Sequence, residues 1–128
     1  MKVGRISSTV LITADVTDTL LEAATKMDRQ HVGALPVLDD GELVGVLSER
    51  DLVKAIAERA AADTTSVADY MAEGAITVRL EDDVSVAAKR MREHGIRHLP
   101  VVLAGQLVGM LSIRDVVEVW MPETTRQG

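Results

Sequence analysis

Two short strings hold most of the polar chemistry this sequence could perform: Ser48-Glu49-Arg50-Asp51 and Ser112-Ile113-Arg114-Asp115. A Ser and an Asp one helical turn apart can act in two ways. Where an apolar strand gives way to a helix, the hydroxyl accepts from a backbone N–H three residues on, and the carboxylate suits the positive end of the helix dipole. The reciprocal capping box favours Glu or Gln at its third position, and the shorter Asp is expected to fall short of the cap nitrogen. Its carboxylate is then free. A free carboxylate at a strand-to-helix junction can accept both hydroxyls of a ribose, while the helix start and the Ser hydroxyl can hold a phosphate. From the residues alone, capping and sugar binding both stay open.

Catalysis has less support. A nucleophile needs a base, and no His stands at matching places beside both Ser residues, so no enzyme activity and no catalytic cofactor are expected. His94 and His98 are four apart, but Gly95 is expected to end the helix between them. They then do not share a helical face as paired zinc ligands would, and no metal site is expected. His31 is expected at a helix end, where a partly charged imidazole suits the dipole. Arg50 and Arg114 read as helix-start residues that are either solvated or in contact with a phosphate.

The elements that must position these residues come in two copies. Sliding the chain on itself aligns Leu11/Ala75 through Lys54/Glu118 without a gap, with 18 identities in 44 pairs, which is the mark of a duplication. Each copy opens with a short apolar stretch ending at Thr13 or Thr77. A helical segment follows, with apolar residues at Leu20, Ala23, Ala24 and Met27, then at Val84, Ala87, Ala88 and Met91. Thr19 through Glu22 can form its capping box, and Gly95 follows the second copy's helix. Leu35–Leu38 and Leu43–Leu47, joined through Asp39-Asp40-Gly41-Glu42, read as a hairpin with a tight turn. A closing helix carries Leu52, Val53 and Ile56 on one face, repeated as Val116, Val117 and Trp120 and stopped near Pro122. The order is β-α-β-β-α twice, an α/β fold. The repeats are divided as residues 1–62 and 63–128, with Ser66–Met71 a short helix entering copy two. One such copy leaves apolar faces uncovered, so the two are expected to form one module.

Bulk properties narrow the partners. A chain of 128 residues with 47% apolar content can bury a real core. The net charge of −6 opposes attraction to phosphate backbones, and Tyr70 and Trp120 are the only aromatic residues available for base stacking, so nucleic acid is not an expected partner. The absence of cysteine removes disulfides and thiolate sites and agrees with a reducing compartment, so the expected location is the cytoplasm. The first residues lack the apolar run of a signal peptide, and no segment approaches the roughly 20 apolar residues of a membrane span. Residual apolar helix surface is expected to be covered by a second copy of the chain, with Trp120 at the interface.

The strings Val32–Val37, Asp39-Asp40-Gly41 and Leu43–Leu52, with their counterparts Gly95–Val102, Gly105 and Leu107–Val116, resemble the CBS domain, named after cystathionine β-synthase, and the pair resembles a Bateman module. The likeness runs from about Val3 to Trp120. It implies two repeats related by a pseudo-twofold axis, with clefts between them that hold an adenine nucleotide or related adenosyl ligand: AMP, ADP, ATP, NAD or S-adenosylmethionine. By the same resemblance Asp51 and Asp115 take ribose hydroxyls, Ser48 and Ser112 contact ribose or phosphate, and adenine lies against Thr13-Ala14 and Thr77-Val78 and the residues just before Pro36 and Pro100. Copy two has Arg97-His98 where copy one has Gly33-Ala34, so charge for a phosphate is lopsided. The implied role is regulatory, an energy-sensing module that signals through homodimer geometry or an unidentified partner protein. The competing reading is a ligand-independent dimerisation scaffold in which the Ser-x-x-Asp motifs only cap helices.

Overall fold

A computed structural model describes residues 1–8 and 10–120. The chain groups into two compact units, Ile12–Ala75 (copy one) and Met1–Leu11 with the chain from Ile76 onward (copy two). Copy one runs β1 (Ala14–Asp15), α1 (Leu20–Gln30), β2 (Ala34–Asp39), β3 (Glu42–Ser48), α2 (Glu49–Ala57), a 3-10 turn (Val67–Asp69) and β4 (Ala72–Glu73). Copy two repeats it with β5 (Val78–Arg79), α3 (Val84–His94), β6 (His98–Leu103), β7 (Gln106–Ser112) and α4 (Ile113–Trp120). The β-α-β-β-α order read from the sequence is therefore present in both. The first strands begin just after Thr13 and Thr77 rather than ending there.

Local chemistry explains each boundary. Thr19 Oγ1 accepts from Glu22 N at 3.1 Å while Glu22 Oε1 accepts from Thr19 N at 3.2 Å, the reciprocal box that starts α1. In copy two the cap is Asp83, whose carboxylate accepts from Ser85 N at 3.0 Å. Gly95 ends α3 with φ of 62°, a left-handed conformation that costs a residue without Cβ nothing. The hairpins turn through Asp40-Gly41 and Ala104-Gly105, all four with positive φ, as a two-residue turn that follows the strand twist requires.

In copy one the sheet order is β1-β2-β3-β4, with β1 parallel to β2 and the other neighbours antiparallel. Copy two has β5-β6-β7 in the same register. Pro36 and Pro100 stand in central strands, which prolines usually avoid, one residue before the flanking strand starts to pair at Val37 and Val101.

The fourth element of each copy comes from outside the aligned repeat. Val67, in the turn after α2, is fully buried in copy one's core, and β4 pairs with β3 through Gly45↔Glu73 and Val46↔Ala72. Copy two takes the same parts from the N-terminus: Val3 is fully buried in its core and Ser8 bridges Met110. The 66–71 stretch thus closes copy one instead of entering copy two, because its apolar Val67 finds its pocket there. The spatial units are accordingly offset from the sequence division at residues 62 and 63. Gly45 and Gly109 make the strand addition possible, since a Cβ would lie 2.5 Å from the Ala72 carbonyl oxygen and 2.4 Å from that of Ser8.

The closing helices differ from the sequence reading. Ala55 and Leu52 turn inward on α2 and Val116 on α4, whereas Val53 and Ile56 are 65% and 76% exposed and Val117 and Trp120 are 42% and 59% exposed. The small Ala55 lets α2 lie close on the sheet, and the larger residues are left outside. Pro122 lies outside the described residues.

Candidate functional site

Both Ser-x-x-Asp strings sit where β3 passes into α2 and β7 into α4. In copy one, Asp51 Oδ2 accepts from Ser48 N at 2.7 Å and from the Ser48 hydroxyl at 3.1 Å, while Ser48 Oγ accepts from Asp51 N at 3.4 Å. Copy two repeats the pattern at 2.9, 2.9 and 3.3 Å for Ser112 and Asp115. The expectation that Asp is too short to reach the cap nitrogen is therefore wrong. With the Ser backbone extended (φ −112°, ψ 167° at Ser48), the cap N–H turns toward the first helical turn, and the shorter side chain reaches it. One oxygen of each carboxylate, Oδ2, does all this work. Among the described residues Oδ1 makes no hydrogen bond to the protein.

Strand register brings the remaining candidates to the same end of each sheet. Ala34 pairs with Ser48 and His98 with Ser112, so side chains at those positions share a face with the cap. Thr13 and Thr77 precede β1 and β5 beside the starts of β2 and β6. Strand spacings of ~4.8 Å across two strands and ~3.3 Å per residue along two residues set the Thr13 backbone roughly 12 Å from the Ser48 cap, within the span of a nucleotide. Ala14 and Val78 are buried within the cores of their copies, and Ala34, Pro36 and Pro100 are buried on the other face of the strands, the face that carries the cap. Thr13, Thr77, Ser48, Ser112, Asp51, Asp115 and His98 are half-buried, and Arg50, Arg97 and Arg114 are exposed.

The sequence reading missed a second polar group. Lys26 Nζ donates to the Thr13 carbonyl at 2.8 Å and Arg90 Nη1 to the Thr77 carbonyl at 2.7 Å. Asp18 and Asp82 lie beside these cations and accept from the backbone N–H of Asp15 and Arg79, each at 2.9 Å. The signal was present: Asp18/Asp82 is an identity of the repeat, and Lys26/Arg90 keeps a positive charge. Asp82 titrates below the usual carboxylate range, chiefly through the Arg79 N–H, and Asp15 does so through the Thr17 hydroxyl. Asp83 is held well below that range by the Ser85 hydroxyl and N–H, helped by the N-terminal ammonium at 3.0 Å.

His94 ends α3 and His98 begins β6, as the Gly95 break foretold, and His31 caps α1 in a left-handed conformation. Among the described residues no group of three His, Asp or Glu side chains could hold a metal ion, and no helix is long and apolar enough to cross a membrane.

A duplicated β-α-β-β-α unit with a reciprocal Ser/Asp cap at each strand-to-helix junction defines a tandem-repeat α/β architecture. The family model of the CBS domain matches residues 3–58 and 67–121, and the chain belongs to that family. The CBS domain protein PAE2072 of Pyrobaculum aerophilum, solved complexed with AMP, is similar with a TM-score of 0.86 and 32% identity, covering 99% of this chain and 96% of that one. The CBS domain pair of protein MJ0100, solved with 5′-methylthioadenosine and S-adenosyl-L-methionine, has a TM-score of 0.86 at 27% identity, with coverage of 94% and 95%. Protein MK0525 of Methanopyrus kandleri is 33% identical over 122 residues, 93% of this chain; the chain spans only 62% of that relative's length.

Proposed function

We propose that this chain is a regulatory module that binds an adenosyl ligand at the capped helix starts of its copies and performs no catalytic step. The observation that carries this reading is the half-used carboxylate. A carboxylate offers about four lone-pair sites; Oδ2 takes the cap N–H and the Ser hydroxyl, and the two sites of Oδ1 match the two hydroxyls of a ribose. Capping and sugar binding, alternatives in the sequence, are compatible in one side chain. Each Ser hydroxyl donates its hydrogen bond to the Asp, so Ser48 and Ser112 have only a lone pair to offer and suit a ribose hydroxyl better than a phosphate. The same bond argues against a nucleophilic Ser, since the proton goes to a carboxylate within the cap and not to a base poised to remove it.

Base contacts at Thr13-Ala14 and Thr77-Val78, and phosphate contacts from Arg50, Arg97, His98 and Arg114, complete the proposal. The complexes of PAE2072 with AMP and of MJ0100 with two adenosyl compounds support the ligand class. The exposed Val53, Ile56, Val117 and Trp120 support a homodimer as the signalling unit. Calorimetric titration with AMP, ADP, ATP, NAD and S-adenosylmethionine tests the site. Asp51→Asn and Asp115→Asn, which keep an oxygen for the cap, are expected to abolish measurable binding at their own copies. Unchanged binding in the double variant would refute the assignment.

The scaffold reading draws on the same bonds, since a fully formed cap needs no ligand to explain it. It requires that no nucleotide raise the melting temperature. A ligand at about 100 times its dissociation constant adds about 2.7 kcal/mol, which a thermal-shift panel resolves.

A further inference from the structure

The first strand of each copy is two residues long and lies at the outer side of its sheet. Val16 N donates to Leu38 O at 3.0 Å and Leu80 N to Val102 O at 2.9 Å, so even-numbered residues here face the neighbouring strand. By strand alternation the groups of residues 13 and 15, and of 77 and 79, face the open edge. An edge two residues long cannot hold its own outward peptide groups in place. A helix-borne cation and a turn carboxylate do so instead. Lys26 takes the Thr13 carbonyl, and Asp18 takes the Asp15 N–H while lying 3.5 Å from Lys26. Arg90 takes the Thr77 carbonyl, and Asp82 takes the Arg79 N–H while lying 3.8 Å from Arg90.

Edge protection alone accounts for a bond of this kind. It does not account for where the bond falls. In both copies, with two different cations, the chain spends its charge on the one carbonyl at the ligand-facing end of the strand. A carbonyl has two lone pairs. With one taken from the helix side, the peptide plane cannot turn, and the second lone pair keeps a fixed direction. We infer that Lys26 and Arg90 are positioning residues for base recognition, each holding the Thr13 or Thr77 carbonyl as a fixed acceptor that favours a 6-aminopurine over a 6-oxopurine. The inference rests on the adenosyl-ligand reading above. An amino group donates to that acceptor; an oxo group meets it lone pair to lone pair. The adjacent Asp18 and Asp82 carboxylates offset the cations' charge, so the carbonyl rather than the cation sets the preference.

The test compares AMP with inosine 5′-monophosphate by calorimetry on the full chain. Lys26→Met and Arg90→Met together are expected to weaken AMP roughly fivefold to tenfold, the worth of about one hydrogen bond, and to bring the AMP preference close to parity. Lys26→Arg and Arg90→Lys, each the residue of the other copy, are expected to retain it. A merely structural clamp would lower the melting temperature and leave the ratio between the two nucleotides unchanged; that result overturns the inference while the ligand reading stands. Wild-type protein that binds neither nucleotide overturns both. Should the methionine variants not fold, the exchange variants Lys26→Arg and Arg90→Lys, which keep a donor, carry the test. Loss of the preference in folded exchange variants contradicts positioning through this bond.

Discussion

Copy one and copy two share a register, a Ser/Asp cap at each strand-to-helix junction and a cation on the carbonyl before the first strand. They part company at the start of β2 and β6, where Gly33-Ala34 faces Arg97-His98; at the N-caps of α1 and α3, where Thr19 faces Asp83; and at the hairpin turns, where Asp40 faces Ala104. What the backbone geometry demands has been kept through the duplication. What it leaves open has drifted, and one of these differences, Gly33-Ala34 against Arg97-His98, falls next to the candidate site. A scaffold held twice over thus carries two differently charged surroundings for one motif, which gives a physical basis for unequal ligand affinity in the two copies.

The strongest way to break this comparison is at the borrowed strands. Gly45→Ala and Gly109→Ala each drive a Cβ against a backbone carbonyl, and each is expected to cost about 3 kcal/mol in urea denaturation. Equal losses support the equivalence of the N-terminal segment and the 66–73 stretch. A much cheaper Gly109→Ala would show that Ser8 is not held as Ala72 is. Ser48→Ala and Ser112→Ala come next, at about 1 kcal/mol each, because each removes a cap hydroxyl; unequal costs would mean that the two boxes, alike in geometry, differ in what surrounds them.

Exchanging drifted residues sharpens the contrast. Ala104 adopts φ of 49°, where its Cβ is strained, while Asp40 occupies the same place at 51°. Ala104→Asp should stabilise copy two by about 0.5 kcal/mol, read as a raised denaturation midpoint, since Asp tolerates this conformation better. The mildest effect is expected in acid. Asp83 titrates below its unfolded range near 3.9, so the stabilisation from its charge is complete above that pH and drains away as pH falls toward its folded titration point. Amide exchange should show the first turn of α3 loosening in that window, and Asp83→Ser, a cap without charge, should remove this contribution.

Much of the fold was open to reading because it rests on local rules. The hairpin at Asp40-Gly41, the Thr19–Glu22 box and the break at Gly95 each depend on residues a few positions apart, and all three appear as expected. The Ser-x-x-Asp strings were found for the same reason. Their geometry was misjudged, because whether Asp reaches the cap nitrogen depends on the backbone angles at Ser48 and not on side-chain length alone. Helical spacing places Leu52, Val53 and Ile56 on one face. Spacing defines a stripe but cannot say which flank of it the sheet covers, and Ala55 took the inward place.

By itself, the sequence determined the duplication, the order of elements and the identity of the paired Ser and Asp, since each follows from propensity and spacing along one stretch of chain. Tertiary structure alone decided that Val3 closes copy two as Val67 closes copy one, and that Lys26 and Arg90 bond the carbonyls before the first strands. Those contacts join residues that are distant in the chain or lie on separate elements. Their energies come from burial and from outward peptide groups needing partners, which no local pattern records.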